Sequence, residues 1–552
     1  MDKLRDTTEF EVLNHVTPPT LLHDPTPKPF KVLLVYPNYS MVNLLPTNIG
    51  ILTACLKRNG FIVDLFDTTF YRTSEKTIDE VRVEWLQVRK FKLEDFGVRF
   101  KPTNYVDDFR KKVEEFKPDL IGVTVVEDTW PQAKALLQAV ADHPVPVIVG
   151  GVFPTLAPEV PLSSPDVDMI CVGEGEYAIV DLATRMWKGE DYSTVKNLWV
   201  KKDGELIKNS MNPPIPMDDV PFGDFDLFEK ERFYRPMQGK IVRMGPIETD
   251  RGCPYKCRFC EAPSLVNIYR ENTGQYYFRR RSWSKVREEL DEYIKRYGIN
   301  YIYFNSETFL AMGDGEFDEF VKMYREIKLP FWMQTRVETL NEKRIRALEE
   351  VNCNRISIGL EHGNEDFRNK MVGKGFSNDR IIEVFKLFRE STIPITINNI
   401  LGFPGETREL IFDTIELNRQ LCSDSVNAYY FTPYRGTSMR KDALDKGYIK
   451  EDDETGAPII GTFALNMPTI SRQEIMALVR TFSLYVKFPK EEWPEIALAE
   501  KFTPEGNAKF EELSKRYYER FFDHDFKYTK KACISTRIYD TPAKAATEDI
   551  TC

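Results

Sequence analysis

Short apolar runs alternate with stretches of helical spacing over residues 29–190. Lys31–Tyr36, Phe61–Phe66, Leu120–Val126, Val145–Val149 and Val167–Val172 read as strands. Residues 47–59, with Ile49, Leu52 and Leu56 a turn apart, and residues 131–142 read as helices. Strands that are apolar on both faces belong in a parallel sheet covered by helices, so the expected class is α/β with an N-terminal doubly wound parallel sheet. Residues 72–112 interrupt this alternation with a charged, aromatic insertion. Long insertions in compact domains usually serve a function, and this one is predicted to be partly helical and packed against the catalytic half.

Alternation resumes at residue 241. Strand-like runs at Ile241–Glu248, Tyr301–Phe304, Phe331–Thr335, Arg355–Gly359, Thr396–Leu401 and Asn427–Thr432 are separated by helical stretches such as 284–297 and 378–391. Six such units predict a partial (β/α)6 TIM-type barrel, whose chemistry belongs at the carboxyl ends of the strands. Beyond residue 455 only helical spacing remains, at 471–486 and 491–522, and predicts a cap. The expected boundaries are a leader at 1–28, the sheet domain at 29–190, a connector at 191–240, the barrel at 241–455 and the helical cap at 456–552. Within the connector, Lys201–Glu205 carries a hairpin signal and Pro213–Pro216 a stiff extended one.

Composition narrows the function classes. Of the 552 residues 42% are hydrophobic and 12% aromatic, enough for buried cores. The net charge of −10 and the lack of a long basic block argue against a nucleic-acid partner. The triplet Arg279-Arg280-Arg281 reads as a solvated turn or a contact to a small anion. No apolar run approaches about 18 residues and the N-terminus has no apolar signal core, so no transmembrane segment or signal peptide is expected.

The sharpest chemistry is in Arg251–Pro263, where Cys253, Cys257 and Cys260 follow a C-x3-C-x2-C spacing. Structural zinc needs four ligands, and no second Cys or Cys/His pair supplies the fourth. Nine cysteines spread over the chain do not form a disulfide framework. Three thiolates on a four-iron cube leave one iron open for chemistry.

This loop, with Phe259 before its last cysteine, resembles the signature of the radical S-adenosylmethionine (SAM) superfamily. Further pieces of the resemblance are Asn305-Ser306-Glu307, Gly359–Gly363, Leu401–Thr407 and Tyr434–Thr437. It implies a [4Fe-4S] cluster on Cys253, Cys257 and Cys260, and SAM held by Phe259, Glu307, Glu361 and Gly402. His362, beside Glu361, reads as a packed barrel histidine.

The N-terminal half resembles the cobalamin-binding domain that precedes many radical SAM barrels. The matching pieces are Pro46-Thr47-Asn48, Thr124, Gly150–Thr155 and Gly173–Glu176. The cobalamin contacts this implies are Pro46, Thr47, Asn48, Thr124, Gly150, Gly151, Phe153, Pro154, Gly173, Glu174 and Gly175. The D-x-H-x-x-G loop of the best-known cobalamin domains is missing, and no histidine lies between residues 24 and 142. Cobalamin bound without a histidine lower ligand is the expectation.

Together the resemblances imply methylation of an unactivated carbon of a small metabolite through methylcobalamin and a 5′-deoxyadenosyl radical. The alternative is a non-methylating relative that performs oxidative cyclisation, ring contraction or hydroxylation. A flavodoxin- or ferredoxin-type electron donor and a reducing, cytoplasmic compartment are the further expectations. The substrate itself is not legible.

Overall fold

The computed structural model describes residues 21–421, 423–456 and 463–522. The expected leader and cap therefore fall partly outside the described residues, as do His15, His524, Cys533 and Cys552.

The first sheet begins with β1 (Lys31–Tyr36), β2 (Ile62–Asp67), β3 (Leu120–Thr124), β4 (Val147–Gly150) and β5 (Met169–Cys171), all parallel. Their order is β2-β1-β3-β4-β5. The order reverses between β1 and β3, a switch point of the kind where open α/β sheets bind ligands. Every residue of β3 is buried, as its unbroken apolar run requires. The hairpin signal at Lys201–Glu205 forms β6 (Leu198–Lys202) and β7 (Glu205–Lys208), and β6 pairs antiparallel with β5. This part of the expected connector thus lengthens the first sheet, because alternate residues Leu198 and Val200 are buried against it.

The second sheet contains β8 (Tyr234–Met237), β9 (Lys240–Glu248), β12 (Tyr301–Asn305), β13 (Phe331–Thr335), β14 (Cys353–Glu361), β15 (Ile395–Leu401) and β16 (Ser425–Tyr430). The short pair β10 (Asp250–Arg251) and β11 (Arg279–Arg280) lies beside it. The order β16-β15-β14-β13-β12-β9-β8, parallel apart from β8, is the six-unit partial barrel expected.

The barrel does not close, since β16 and β8 are not paired. The insertion covers this gap. Its helix Ile78–Glu84 starts from a capping box on Thr77 and Glu80. Beyond the helix, Gln87 Nε2 donates to the carbonyl of Ala428 on β16 at 2.9 Å, and the Trp85 ring meets that of Tyr430 edge-on at 5.9 Å. The prediction that this segment packs on the catalytic half is borne out.

One continuous apolar core runs through both halves. At their junction Phe225 presses on the helix Thr47–Arg58, where a Cβ on Gly50 would come within 2.5 Å of its ring. The cap helix Arg472–Lys487 is buried almost all round, and Arg419 anchors its end by donating to the carbonyls of Tyr485 and Val486.

Candidate active site

The cysteine loop leaves β10 through Gly252, whose φ of +84° and close approach to the Phe278 backbone (3.1 Å from a built Cβ) exclude a larger residue. Its far side is tied across the barrel mouth: Arg258 N donates to Val372 O at 3.0 Å and Met439 N to Arg258 O at 3.2 Å. Cys257 is buried, while Cys253 and Cys260 are half-buried. Burial pushes the thiols of Cys253 and Cys260 up, a handicap that iron coordination reverses. Among the described residues no three His, Cys, Asp or Glu side chains close on a single ion. A lone zinc needs thiolates at about 2.3 Å, whereas a cube spreads them over its corners. Cys257 and Cys253 both bear on the Cys260 thiol, so the three sulfurs share one site, and three thiolates suit a four-iron cube with one open corner.

Arg336 stands against the cysteine loop. Its Nη1 donates to Cys257 Sγ at 3.0 Å, and its guanidinium lies 4.0 Å over the Tyr255 ring. Hydrogen bonds to cluster sulfurs raise the reduction potential. Arg336→Met is expected to move the cluster midpoint to more negative values by some tens of millivolts in anaerobic redox titration. The upper bound follows from about 1.5–3 kcal/mol for a charged hydrogen bond and about 59 mV per 1.4 kcal/mol for one electron. An unchanged midpoint would remove Arg336 from this role.

The expected SAM residues surround the same mouth. Glu361 ends β14 at a bulge, with φ +66°. Bulges re-aim side chains, and a non-glycine residue in this conformation marks a functional constraint. Its carboxylate pairs with Lys374 Nζ at 2.9 Å, and a Cβ on Gly359 would meet that carboxylate at 2.3 Å. Gly402, with φ +94°, faces the cap, where Phe463 occupies the space a Cβ would take. Glu406 Oε2 accepts from the amides of Gly402 and Phe403 and so fixes this turn. Phe259 packs 6.1 Å from Phe403. Glu307 is exposed to the adjoining cavity, where partial desolvation, then Glu248, raises its carboxyl.

His362 is fully buried, stacked on Phe367 at 4.5 Å, with Nε2 3.0 Å from Glu406 Oε1. It packs as expected. Tyr434 donates to Asp128 Oδ2 at 2.8 Å, joining the last strand end to the N-terminal half.

Asp250 escaped the sequence reasoning. Its side chain is fully buried, and Ser306 Oγ donates to both its oxygens at 2.9 and 2.7 Å. Burial pushes its carboxyl up to about 7. The acid beside Ser306 thus comes from the strand before the cysteines. Its position at a barrel strand end was the available signal.

A cavity of about 430 Å³ separates the two sheets. Asn48, Thr124, Gly150, Gly151, Gly173, Glu174 and Gly175 line it from the first half, and Asp250, Cys260, Glu261, Asn305 and Glu307 from the barrel. Asn48 Nδ2 donates to Thr124 Oγ1 at 2.9 Å across the switch point, and Asn305 Nδ2 to Thr47 Oγ1 at 3.1 Å between the halves. Pro46 caps the first helix. Phe153 and Pro154 are buried behind the wall, Phe153 against Trp130 at 6.3 Å, and do not reach the cavity. No histidine lines it. The glycine-lined strand ends offer backbone rather than side chains, as a cradle for a large flat cofactor does.

Glu174 does more than line this wall. Arg251 Nη1 reaches Glu174 at 2.9 Å and Glu176 at 2.7 Å, while its Nη2 reaches Glu248 at 3.0 Å. Arg279 also pairs with Glu174. Burial opposes the charge on Glu174, but Arg251 and Arg279 overcome it and hold the carboxyl below its usual range. The arginine triplet is not a solvated turn: Arg279 clamps Glu174, Arg280 lies 3.6 Å from Asp250, and Arg281 is buried against Glu289. Each side chain faces an internal carboxylate, which a run of three letters does not disclose.

Fold and site define an iron–sulfur enzyme whose barrel mouth faces a second cofactor cradle. The B12 binding domain family matches residues 43–183 and the Radical SAM superfamily matches residues 247–417. An uncharacterized methyltransferase of Pyrococcus horikoshii is 28% identical over 342 residues, covering 61% of this chain and 72% of the relative. The anaerobic magnesium-protoporphyrin IX monomethyl ester cyclase of Rubrivivax gelatinosus is 25% identical over 352 residues, covering 62% of this chain and 61% of the cyclase. In fold, the chain is similar to the radical SAM methyltransferase TsrM of Kitasatospora setae, with TM-score 0.61, 14% identity, and 89% and 99% of the two chains covered. The chain is a cobalamin-binding radical SAM enzyme, with a [4Fe-4S] cluster, SAM and cobalamin as its cofactors.

Proposed function

We propose that the protein is a C-methyltransferase that methylates an unactivated carbon of a small metabolite at the expense of SAM. The observation that carries this reading is the shared cavity, in which Cys260 and Glu307 stand opposite Thr124, Gly150 and Gly173. A carbon placed there is within reach of both cofactors, and proximity of this kind supplies a large part of a radical enzyme's rate.

When bound, the cluster would supply the electron that cleaves SAM, and cobalamin the carrier for the methyl group. The chain's own residues do the rest. Cys253, Cys257 and Cys260 hold the iron. Phe259, Glu307, Glu361 and Gly402 position SAM, and Lys374 fixes the Glu361 carboxylate. Asn48, Thr124 and the glycines at 150, 151, 173 and 175 would cradle cobalamin, in a cavity that no histidine lines. Phe463, closed over Gly402, keeps water from the mouth. A flavodoxin- or ferredoxin-type protein is the electron donor, and the cytoplasm is the compartment. No helix among the described residues is long and apolar enough to cross a membrane.

Product analysis tests this. With cluster and cobalamin reconstituted anaerobically, S-adenosylhomocysteine alongside 5′-deoxyadenosine is the expected outcome. The second product alone would reject methyl transfer and favour the non-methylating reading, which the likeness to the cyclase keeps in view.

A further inference from the structure

The lower half of the barrel is not packed with branched apolar side chains, as such interiors usually are. Alternate, inward-facing residues of β13–β16 are polar and bond to one another. Trp332 Nε1 donates to Ser357 Oγ at 2.8 Å, Gln334 Nε2 to Tyr303 OH at 2.8 Å, and Asn427 Nδ2 to Asn398 Oδ1 at 2.9 Å. They wall a cavity of about 640 Å³ that the insertion and the β8–β9 turn close from the side.

Four guanidinium groups line this space: Arg82 and Arg89 from the insertion, Arg235 from β8 and Arg355 from β14; of these Arg89 turns its charge to the Phe522 ring at 5.6 Å. Arg355 spends its Nη1 on two neutral hydroxyls, Thr396 and Ser425. Arg82 reaches Asp79 at 3.3 Å, but its Nε has no acceptor. Arg235 has no hydrogen-bond or ion-pair partner among the described residues and only rests against the Trp332 ring at 5.9 Å. Burial loosens the proton on Arg235 and on Arg355, and the opposing pull of Asp79 on the first and Asp424 on the second does not make up for it. Asp79 and Asp424 are the acids on the wall, and Asp424 already accepts from the Ile395 amide at 2.6 Å. Cations removed from bulk water require an anionic partner, and a planar fork suits oxyanions.

We propose that this chamber seats a phosphoryl or phosphonyl group of the substrate, bound by Arg235 with Arg82 and Arg355. The inference rests on the methyltransferase reading above and adds a substrate class to it. Arg355 and Glu361 lie six residues apart on β14, about 17 Å at roughly 3.3 Å per residue once the bulge is allowed for. The substrate is therefore elongated, its anionic end at the floor and its reacting carbon at the mouth.

Titration calorimetry of the reconstituted full-length protein with inorganic pyrophosphate, and in parallel with acetate, tests the assignment. Saturable pyrophosphate binding is expected, weakened at least about tenfold in Arg235→Gln and in Arg355→Gln, the loss of one charge-assisted hydrogen bond, and partly restored in Arg235→Lys. Equal affinity in wild type and both glutamine variants, no saturable binding to wild type, or acetate binding as tightly would each overturn it. The readout is independent of SAM cleavage. A protein that binds pyrophosphate through Arg235 but forms no S-adenosylhomocysteine sinks the methyltransferase reading alone, and the converse sinks only this one.

Discussion

Cys260→Ala should reduce 5′-deoxyadenosine formation under strong reductant to background, with the iron content of the reconstituted protein falling alongside it. On the proposed assignment the three thiolates are the protein's ligands to the cluster, and two are too few to hold a cube with one open iron. Cobalamin retention should survive, because its cradle is built on the other sheet. Cys353→Ala is the control: this cysteine is buried, more deeply than Cys260, and lies at the start of β14, donating to the Arg355 carbonyl. It should keep a full cluster and lose only the modest packing of one small buried side chain. A Cys260→Ala protein that retains four irons and still cleaves SAM would refute the assignment.

Arg251→Met should be the most destabilising single substitution outside the apolar core, by about 3–5 kcal/mol, the usual cost of stripping a buried charge network of one sign. Its side chain is 11% exposed and answers Glu174, Glu176 and Glu248 at once. Without it, three sheltered carboxylates face one another with only Arg279 left. The sign of the pH response follows. In wild type Glu174 is held low, so its contribution is present above the unfolded carboxylate pKa and is lost as pH falls through the folded value. In the variant the carboxylates are raised, so the folded state prefers the protonated form and stability drops as pH rises. The deficit measured by urea unfolding should therefore be larger at pH 8 than at pH 5. A deficit below about 1 kcal/mol at pH 8 would mean that water screens the network as it does surface pairs.

The first sheet was legible because strands apolar on two faces leave a local signature, and β3 lies where its run placed it; β14 was legible although its inward face is polar, because helical stretches bound its run on both sides. The cysteine loop was legible for a similar reason: its ligands are neighbours in sequence. What escaped was set by approach from afar. Arg336 meets Cys257 across 79 residues, and Ser306 meets Asp250 across 56. Arg251 sits inside the cysteine motif, yet its partners stand beyond the end of β5 in the first half, Glu174 in the loop and Glu176 at the start of the helix that follows. The left-handed turn at Glu361 depends on a bulge that only pairing with β15 creates. Periodicity encodes which face of an element is buried, not which remote charge will meet it.

The bond between Gln87 and Ala428 spans 341 residues of chain. At about 5–20 residues per second of synthesis, the insertion emerges roughly 20–70 s before the strand it must cover. During that interval Trp85 and its neighbours have no barrel to lean on, and the nascent barrel has no wall until its last strand arrives. Side-wall closure is thus a late, long-range step in biogenesis, and substitutions at Trp85 or Gln87 should lower the yield of soluble protein more than they weaken the finished fold.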